Sequence, residues 1–521
     1  MSCVLCIDYG TQSVRVSVIS DRGEFLAFEQ EKYNPPYFSI KPGYCEQNAD
    51  YYYDMMCKAA KRLVRKNKNL VNQCSSISST CFRDTYVLLD KDFKPIRPAI
   101  IWLDQRNAKL EKKIPLIYSL AFWIVGMSET VILNRKRTPA LWIQENEKDN
   151  WAKTRYYAPL NSYLNYRMLG VLGDSASNMI GHAPICFKTG KPYGKNNLKG
   201  IIYGINPKML PKIFSVGQEI GKITENCHVE TGFPEGLAYI GTGNDKSCEA
   251  LGAGAIEPFS AHASFGTSCS ISMTSKKYFE PIHFLPSYIS AYPGYYNGEV
   301  QIYRGAWMLT WFSKEFAKEE VNEAEIEKIA PEELLNQKIL DVPPGSNGLV
   351  VQPYWGPQLD KPLGKGSMIG FYDDVHTKYH IYRAIIEGLG YALKEGLISI
   401  QKRSHQKCKY VTISGGGSKS DAICQITADI LNIPVYKPRN YEASSLGCAM
   451  SQFISLKVFE GVNDAKKSMI KYDKIFKPNK IDSDKYSYLY KKVYSTIYPQ
   501  LKKTYSSLSD YLEKNNEGSI K

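Results

Sequence analysis

The chain is 521 residues long, enough for more than one domain, each burying its own core. A charged fraction of 23% and a hydrophobic fraction of 43% exclude a disordered chain. The formal charge of +14 is spread along the whole length, which argues against a dedicated nucleic-acid surface and leaves a general attraction for anionic substrates.

Val4 to Asp8 and Ser13 to Ser20 read as strands on either side of a tight turn. Cys3 and Cys6, a C-x-x-C pair, sit in the first apolar run. No second metal-spaced pair follows, so the 13 cysteines read as free thiols of a reducing compartment. Ser20 to Glu24 carries a hairpin turn signal, and Phe25 to Phe28 resumes the sheet. The spacing of Tyr52, Met55, Met56, Ala59 and Leu63 predicts a helix from Asn48 to Asn67, opened by an Asn/Asp cap region. The basic run Lys58 to Lys68 is the wet face of that helix. Thr85 to Leu89 and Ala99 to Trp102 form a strand pair, joined by a turn at Asp90 to Pro95. Ile114 to Met127, the longest apolar stretch, is too short to span a bilayer as a helix. With no signal-like segment at the start, a cytoplasmic chain without a membrane partner is expected.

The small-residue run Glu249 to Ala255 ends a helix and puts the lobe boundary near residue 255, giving domains 1–255 and 256–521. The absence of a Pro/Ser-rich linker points to hinges that can close. Ala261 to Ser275 then repeats the opening of the chain: strand, Gly-Thr-Ser turn, strand. Two later helices are predicted over Tyr379 to Arg403 and Ser420 to Leu431. The tail from Asp482 has Tyr and Lys at helical spacing and a polar end that should fray.

Several motifs carry chemistry. The turns around Gly10, Thr11, Gln12 and Ser13, and around Gly266 and Thr267, offer backbone N–H groups and hydroxyls to a polyphosphate. Two such turns in two halves suggest related lobes gripping one nucleotide. Asp8, at the end of the first strand, can hold a hydrated Mg²⁺ or can simply stabilise the turn. Gly241-Thr242-Gly243-Asn244-Asp245 holds Asp245 at a strand-to-helix corner. There its carboxylate can take a hydroxyl proton during phosphoryl transfer, or can cap the helix that follows. Ser414 to Ser420 runs from a strand through Gly415, Gly416 and Gly417 into a helix at Ser420. Backbone without Cβ can lie flat against a base or ribose there, with a flexible loop as the alternative. The run is not G-x-x-x-x-G-K-[ST], which argues against a P-loop NTPase. Tyr441 to Ala449 is a small-residue helix suited to close packing at a hinge. Arg83 and Asp84 can present a donor fork and an acceptor to a polyhydroxylated substrate. Trp102 and Asp104-Gln105-Arg106 can add a wall and polar contacts; a surface ion pair and a core Trp are the plainer readings.

Taken in order, Asp8 to Ser13, Pro42 to Gln47, Arg97 to Arg106, Gly241 to Asp245, Gly266 to Ser268, Gly366 to Phe371, His380 to Glu387, Ser414 to Ser420 and Glu442 to Gly447 resemble the FGGY carbohydrate kinases over nearly the whole chain. The resemblance implies an α/β fold of two actin-like, ribonuclease H-type lobes with an inter-lobe cleft. It implies ATP and Mg²⁺ as cofactors and phosphorylation of a small sugar or polyol as the activity. Carried over by motif, Asp245 is implied as the catalytic base and Asp8 as the Mg²⁺-linked carboxylate. Gly10, Thr11, Gln12, Ser13, Gly266 and Thr267 are implied as phosphate contacts, and Gly415, Gly416, Gly417 and Ser420 as the adenosine site. Arg83, Asp84 and Trp102 fall at substrate positions. The chain departs from xylulokinases at Cys81 to Asp84, where they carry Gln-Met-His-Gly, and from glycerol kinases at Lys246, where they carry Gln. A five-carbon ketose or polyol is the implied acceptor. Glycerol or autoinducer-2 is the alternative, and a nucleotide-gated actin-like binding protein is the rival of another class. The family's members often pair, so a homodimer is raised as well.

Overall fold

A computed structural model describes residues 2–194, 197–283 and 285–518. It contains two mixed sheets built to one plan. The first has six strands in the spatial order Glu219–Lys222, Ala238–Ile240, Ile77–Cys81, Cys3–Tyr9, Ser13–Ser20, Phe25–Lys32. The second has seven, in the order Tyr472–Phe476, Val435–Pro438, Tyr410–Ser414, Ser260–Phe265, Cys269–Ser275, Tyr296–Ile302, Tyr288–Ile289. In each, an antiparallel hairpin made of the sheet's first two strands in the chain lies beside a parallel strand that arrives later. Cys3–Tyr9 pairs with Ser13–Ser20 and runs parallel to Ile77–Cys81. Ser260–Phe265 pairs with Cys269–Ser275 and runs parallel to Tyr410–Ser414. This is the actin-like α/β arrangement of two related lobes.

The central strands are buried along their whole length because helices cover both faces. The edge strand Phe25–Lys32 alternates instead, and Arg62 binds Glu29 and Glu31, on the same face as the buried Ala27, at 3.1 and 2.5 Å. Arg62 belongs to the helix Ala49–Asn72, so part of the basic run is more than a wet face: it covers a sheet edge with charge. That helix outlasts its predicted end by one turn, past a non-helical Asn67 whose Nδ2 donates to the Leu63 carbonyl at 3.1 Å.

The predicted strand pair after residue 85 forms, but in a separate four-stranded sheet: Glu46–Gln47, Ala99–Ile100, Tyr86–Leu89, Tyr156–Pro159. The apolar stretch after Ile114 becomes the nine-residue helix Leu116–Ile124, with Leu116, Ile117, Leu120, Trp123 and Ile124 exposed. Among the described residues no helix is long and apolar enough to cross a membrane.

The long helix Lys378–Ser404 crosses the core of the second lobe. The tail runs as Lys480–Leu489, a π-helical turn at Tyr490–Tyr494, and Ser495–Gly518, and packs on the same core through Tyr486, Tyr494 and Ile497. Tyr486 accepts from Arg383 at 2.9 Å and donates to Glu387 at 2.8 Å, which anchors the tail in a buried charge pair. The last three residues of the tail, where fraying was expected, lie outside the described residues.

Candidate functional site

The two hairpin turns close at equivalent places in the two sheets. Asp8 is in register with Thr80 of the parallel strand, and Ser264 with Ser414. In the first turn the Gly10 N–H donates to the Ser13 carbonyl at 3.0 Å, and the Ser13 hydroxyl accepts from Gln30 Nε2 at 2.8 Å. The Gly10 N–H is thus engaged within the turn, whereas the Ser13 hydroxyl keeps its own proton to donate, and the half-buried Thr11 and the exposed Gln12 lie at the turn's tip. In the second turn the Gly266 and Thr267 carbonyls accept from Ala306 and Trp307, at the start of the helix Trp307–Phe316.

The glycine loop belongs to the same place. Gly415 has φ +84°, and a Cβ there would lie 2.6 Å from the Phe265 carbonyl carbon and 2.9 Å from the Gly266 nitrogen. The loop therefore lies against the second turn, and only glycine permits it. Gly416 faces open space, while a Cβ on Gly417 would sit 2.9 Å from Phe265 Cβ. Ser420 caps the helix Asp421–Leu431 through its hydroxyl, which accepts from the Ile423 N–H at 3.4 Å. That engagement uses the oxygen as an acceptor and leaves the Ser420 hydroxyl proton to donate.

Asp8 is buried, and its Oδ2 lies 3.1 Å from Arg15 Nη1. Burial raises its pKa to about 6, and Arg15 offsets only part of that rise. Arg15 Nε also binds Glu442 Oε2 at 3.0 Å, so one guanidinium ties the first turn to the start of the helix Ala443–Ser455.

Asp245 begins the helix Asp245–Gly252 but does not cap it. The cap is Asn244, whose Oδ1 accepts from the Ser247 N–H at 3.1 Å. Asp245 Oδ1 accepts from the Lys246 N–H at 2.8 Å and stands 3.9 Å from Arg83 Nε. Burial raises its pKa to about 6 against the pull of Arg83 and Lys246. The carboxylate keeps 26% side-chain exposure, so it is neither a helix cap nor a core residue.

Arg83 and Asp84 engage different neighbours. Arg83 Nη1 reaches Glu299 Oε2 at 2.6 Å, and its guanidinium carbon lies 5.2 Å from the Tyr288 ring centroid. Asp84, at φ +58°, accepts from the His182 N–H at 2.9 Å and faces His182 Nδ1 at 2.7 Å. Neither partner is visible in sequence. Trp102 is half-buried, and its Nε1 donates to Thr11 Oγ1 at 3.0 Å, joining the predicted acceptor wall to the first turn. The run at Asp104 is structural: Arg106 pairs with Asp104 and Glu46 and stacks 3.8 Å over Tyr44, so those groups are not open to a ligand.

Sequence reasoning missed a buried network beside Asp245. Lys246 Nζ donates to Glu249 Oε2 at 2.7 Å and to Ser264 Oγ at 2.8 Å. Ser414 donates to Glu249 at 2.6 Å, and His262 Nε2 lies 2.7 Å from the Ser414 hydroxyl. Burial would raise the Glu249 pKa, but Lys246, His262 and these hydrogen bonds hold it at about 2. Burial takes His262 down to about 4. The helical spacing of Lys246 and Glu249, three apart on one face, was the available signal. Among the described residues no cluster of three or more His, Cys, Asp or Glu is placed to hold a metal. A Mg²⁺ carried between phosphates needs only one or two carboxylates and keeps its waters, so Asp8 alone fits that demand.

Sequence models of the FGGY family of carbohydrate kinases match this chain, the N-terminal domain over residues 3–252 and the C-terminal domain over residues 261–456. The xylulose kinase of Staphylococcus epidermidis is 28% identical, covering 97% of this chain and 98% of the relative. Among solved structures, the ligand-bound xylulose kinase of Lactobacillus acidophilus superposes with TM-score 0.80 at 19% identity, covering 98% of this chain and 100% of that one. The gluconate kinase of the same organism gives TM-score 0.81 at 20% identity, covering 97% and 100%. At these identities the superpositions speak for the fold.

Proposed function

Because this chain belongs to the FGGY family of carbohydrate kinases, we propose that it transfers the terminal phosphoryl group of ATP to a hydroxyl of a five-carbon ketose, with Asp245 as the base. Full-length similarity to a xylulose kinase supports a pentulose acceptor. The observation that carries the residue assignment is the division of labour between Asn244 and Asp245. Asn244 caps the helix, which leaves the Asp245 carboxylate partly open beside Arg83 and Lys246.

In phosphoryl transfer the protein chiefly positions the reactants and neutralises charge. Asp245 accepts the acceptor hydroxyl's proton as that oxygen approaches phosphorus. A pKa near 6 leaves the carboxylate ionised at neutral pH and more basic than an ordinary Asp. Thr11 and Gln12 from the first turn, and Gly266 and Thr267 from the second, face the phosphates. Gly415, Gly416 and Gly417 line the adenosine, and Arg83, Asp84 and Trp102 line the acceptor. Asp8 would hold Mg²⁺, whose charge would balance the triphosphate; the carboxylate's raised pKa marks a buried charge that Arg15 leaves partly uncompensated. Closure of the lobes keeps water from competing as the nucleophile.

Residues 1–255 are read as the lobe carrying the acceptor site and the base, and 256–521 as the nucleotide lobe; the matched family segments support that division. A cytoplasmic setting fits a chain whose cysteines are free and, apart from Cys57 and Cys186, buried. The family habit of pairing supports a homodimer. The test is an ADP-release assay across pentuloses, hexuloses, aldonates and polyols. Sugar-dependent release that is greatest with a pentulose is expected, and ATP hydrolysis indifferent to every sugar would contradict it.

A further inference from the structure

We propose that Glu299 selects the acceptor, admitting uncharged polyhydroxylated sugars and turning away sugar acids; this rests on the sugar-kinase reading above. Glu299 lies in the strand Tyr296–Ile302 of the second lobe, opposite Ser272 of the neighbouring strand. Its carboxylate crosses to the first lobe and meets Arg83 Nη1 at 2.6 Å. Arg83 is itself 3.9 Å from the Asp245 carboxylate. Glu299 is therefore one side chain away from the proposed base, although it comes from the opposite half of the molecule.

Two features mark it as more than a counter-ion for Arg83. The first is hydrogen bonding. The Glu299 side chain is only 6% exposed, and its Oε2 serves Arg83 while its Oε1 has no hydrogen-bond partner. The Tyr288 hydroxyl, beside the Glu299 carboxylate, is buried and also lacks a bond of good geometry, and the neighbouring Ser270 does not complete Glu299 Oε1. Buried polar atoms without partners are rare and unfavourable, and they call for a ligand group to complete them. A sugar hydroxyl can donate to Glu299 Oε1 and can accept from the Tyr288 hydroxyl, so one polyol edge satisfies both.

The second feature is charge. One guanidinium, Arg83, stands between two carboxylates, Glu299 and Asp245. Arg83 holds the Glu299 pKa below the usual range against the effect of burial, so Glu299 is ionised at neutral pH. An aldonate carboxylate entering here has no proton to donate and meets like charge at short range. A neutral ketose pays neither penalty. Discrimination built on a buried hydrogen-bonding group is large because the rejected ligand leaves that group unpaired.

The experiment compares the wild type with Glu299→Gln and Glu299→Asp, using D-xylulose, D-ribulose and D-gluconate as acceptors. Nucleotide affinity and the melting midpoint are measured alongside. Glu299→Gln should raise the ketose KM by about tenfold or more and shrink the ketose-over-gluconate preference by a similar factor, with the ATP KM within about twofold. Glu299→Asp, which keeps the charge, should retain most of the preference against gluconate. An unchanged ketose KM and preference in Glu299→Gln would overturn the assignment. So would a parallel rise in both KM values with a lowered midpoint in both variants, since that is the signature of a structural ion pair. A wild type that prefers gluconate would overturn it too, while leaving the kinase reading intact. A wild type inactive on the whole panel would sink both.

Discussion

Gly252 and Gly447 stand against each other where the helices Asp245–Gly252 and Ala443–Ser455 cross. A Cβ on Gly252 would overlap the Ala443 carbonyl, and one on Gly447 would overlap the Cys248 carbonyl. Each helix follows a strand of one sheet and bonds to the other. Glu249 accepts from Ser264 and Ser414 of the second lobe, and Gln452 donates to the Leu5 carbonyl of the first. The junction between the lobes is thus a backbone-to-backbone contact with no spare room, and the helix it supports carries Asp245. Gly447→Ala should cost about 1–3 kcal/mol through overpacking, and it should lower kcat more than it raises the ATP KM because Asp245, the proposed base, moves with its helix. Urea unfolding and steady-state kinetics check this; an unaltered midpoint would contradict so tight a crossing.

Asp245→Asn keeps the shape and the Asn244 cap. It should fold, bind ATP normally and lose about 10²- to 10⁴-fold in turnover, the usual share of a positioned base. Calorimetric ATP titration beside a coupled ADP assay separates the two effects. Retained turnover would remove Asp245 from the chemistry.

Acidity should trade activity against stability at this residue. With its pKa near 6, Asp245 loses its basic form as pH falls, so kcat/KM should decline below about pH 6. The folded value lies above the unfolded one of about 3.9, so ionisation opposes folding. The stability linked to this group is fully present below about 3.9 and is lost as pH rises through about 6. Asp245→Asn should accordingly be more stable than the wild type at pH 8, by at most about 3 kcal/mol, with the gap closing near pH 4. Paired denaturation curves at the two pH values test the sign.

Lys246 and Glu249 form a buried pair, 2.7 Å apart, within the polar network behind the second turn. Lys246→Met strands the Glu249 charge and should destabilise by about 3–5 kcal/mol. The double variant Lys246→Met with Glu249→Met should recover much of that loss. A double-mutant cycle in urea gives the coupling directly, and strict additivity would show that the pair does not act as one unit.

Much of this molecule was legible before folding. The paired Gly-Thr turns, the strand-to-helix corner at Asp245 and the glycine loop at Gly415 are local features: each needs a few adjacent residues with unusual backbone freedom or a carboxylate at a strand end, and such features survive in the linear text. Helix positions were legible too, with Tyr379 to Arg403 realised as Lys378–Ser404. Within Gly241 to Asp245, however, sequence could not decide whether Asp245 caps or catalyses. Two adjacent side chains could each have served as the cap, and only the backbone path assigned it to Asn244.

The amino-acid order alone determined the two-lobed class, the paired Gly-Thr turns and the strand-to-helix corner that presents Asp245, because short-range stereochemistry and an ordered set of family motifs are written into neighbouring residues. The tertiary structure alone decided who stands beside them. Arg83 and Glu299 are 216 residues apart, and Asp84 and His182 are 98. Nothing in a chain announces which distant carboxylate will meet a given guanidinium. That pairing is fixed when two sheets and their crossing helices are packed to contact, and in this protein it sets the surroundings of Asp245.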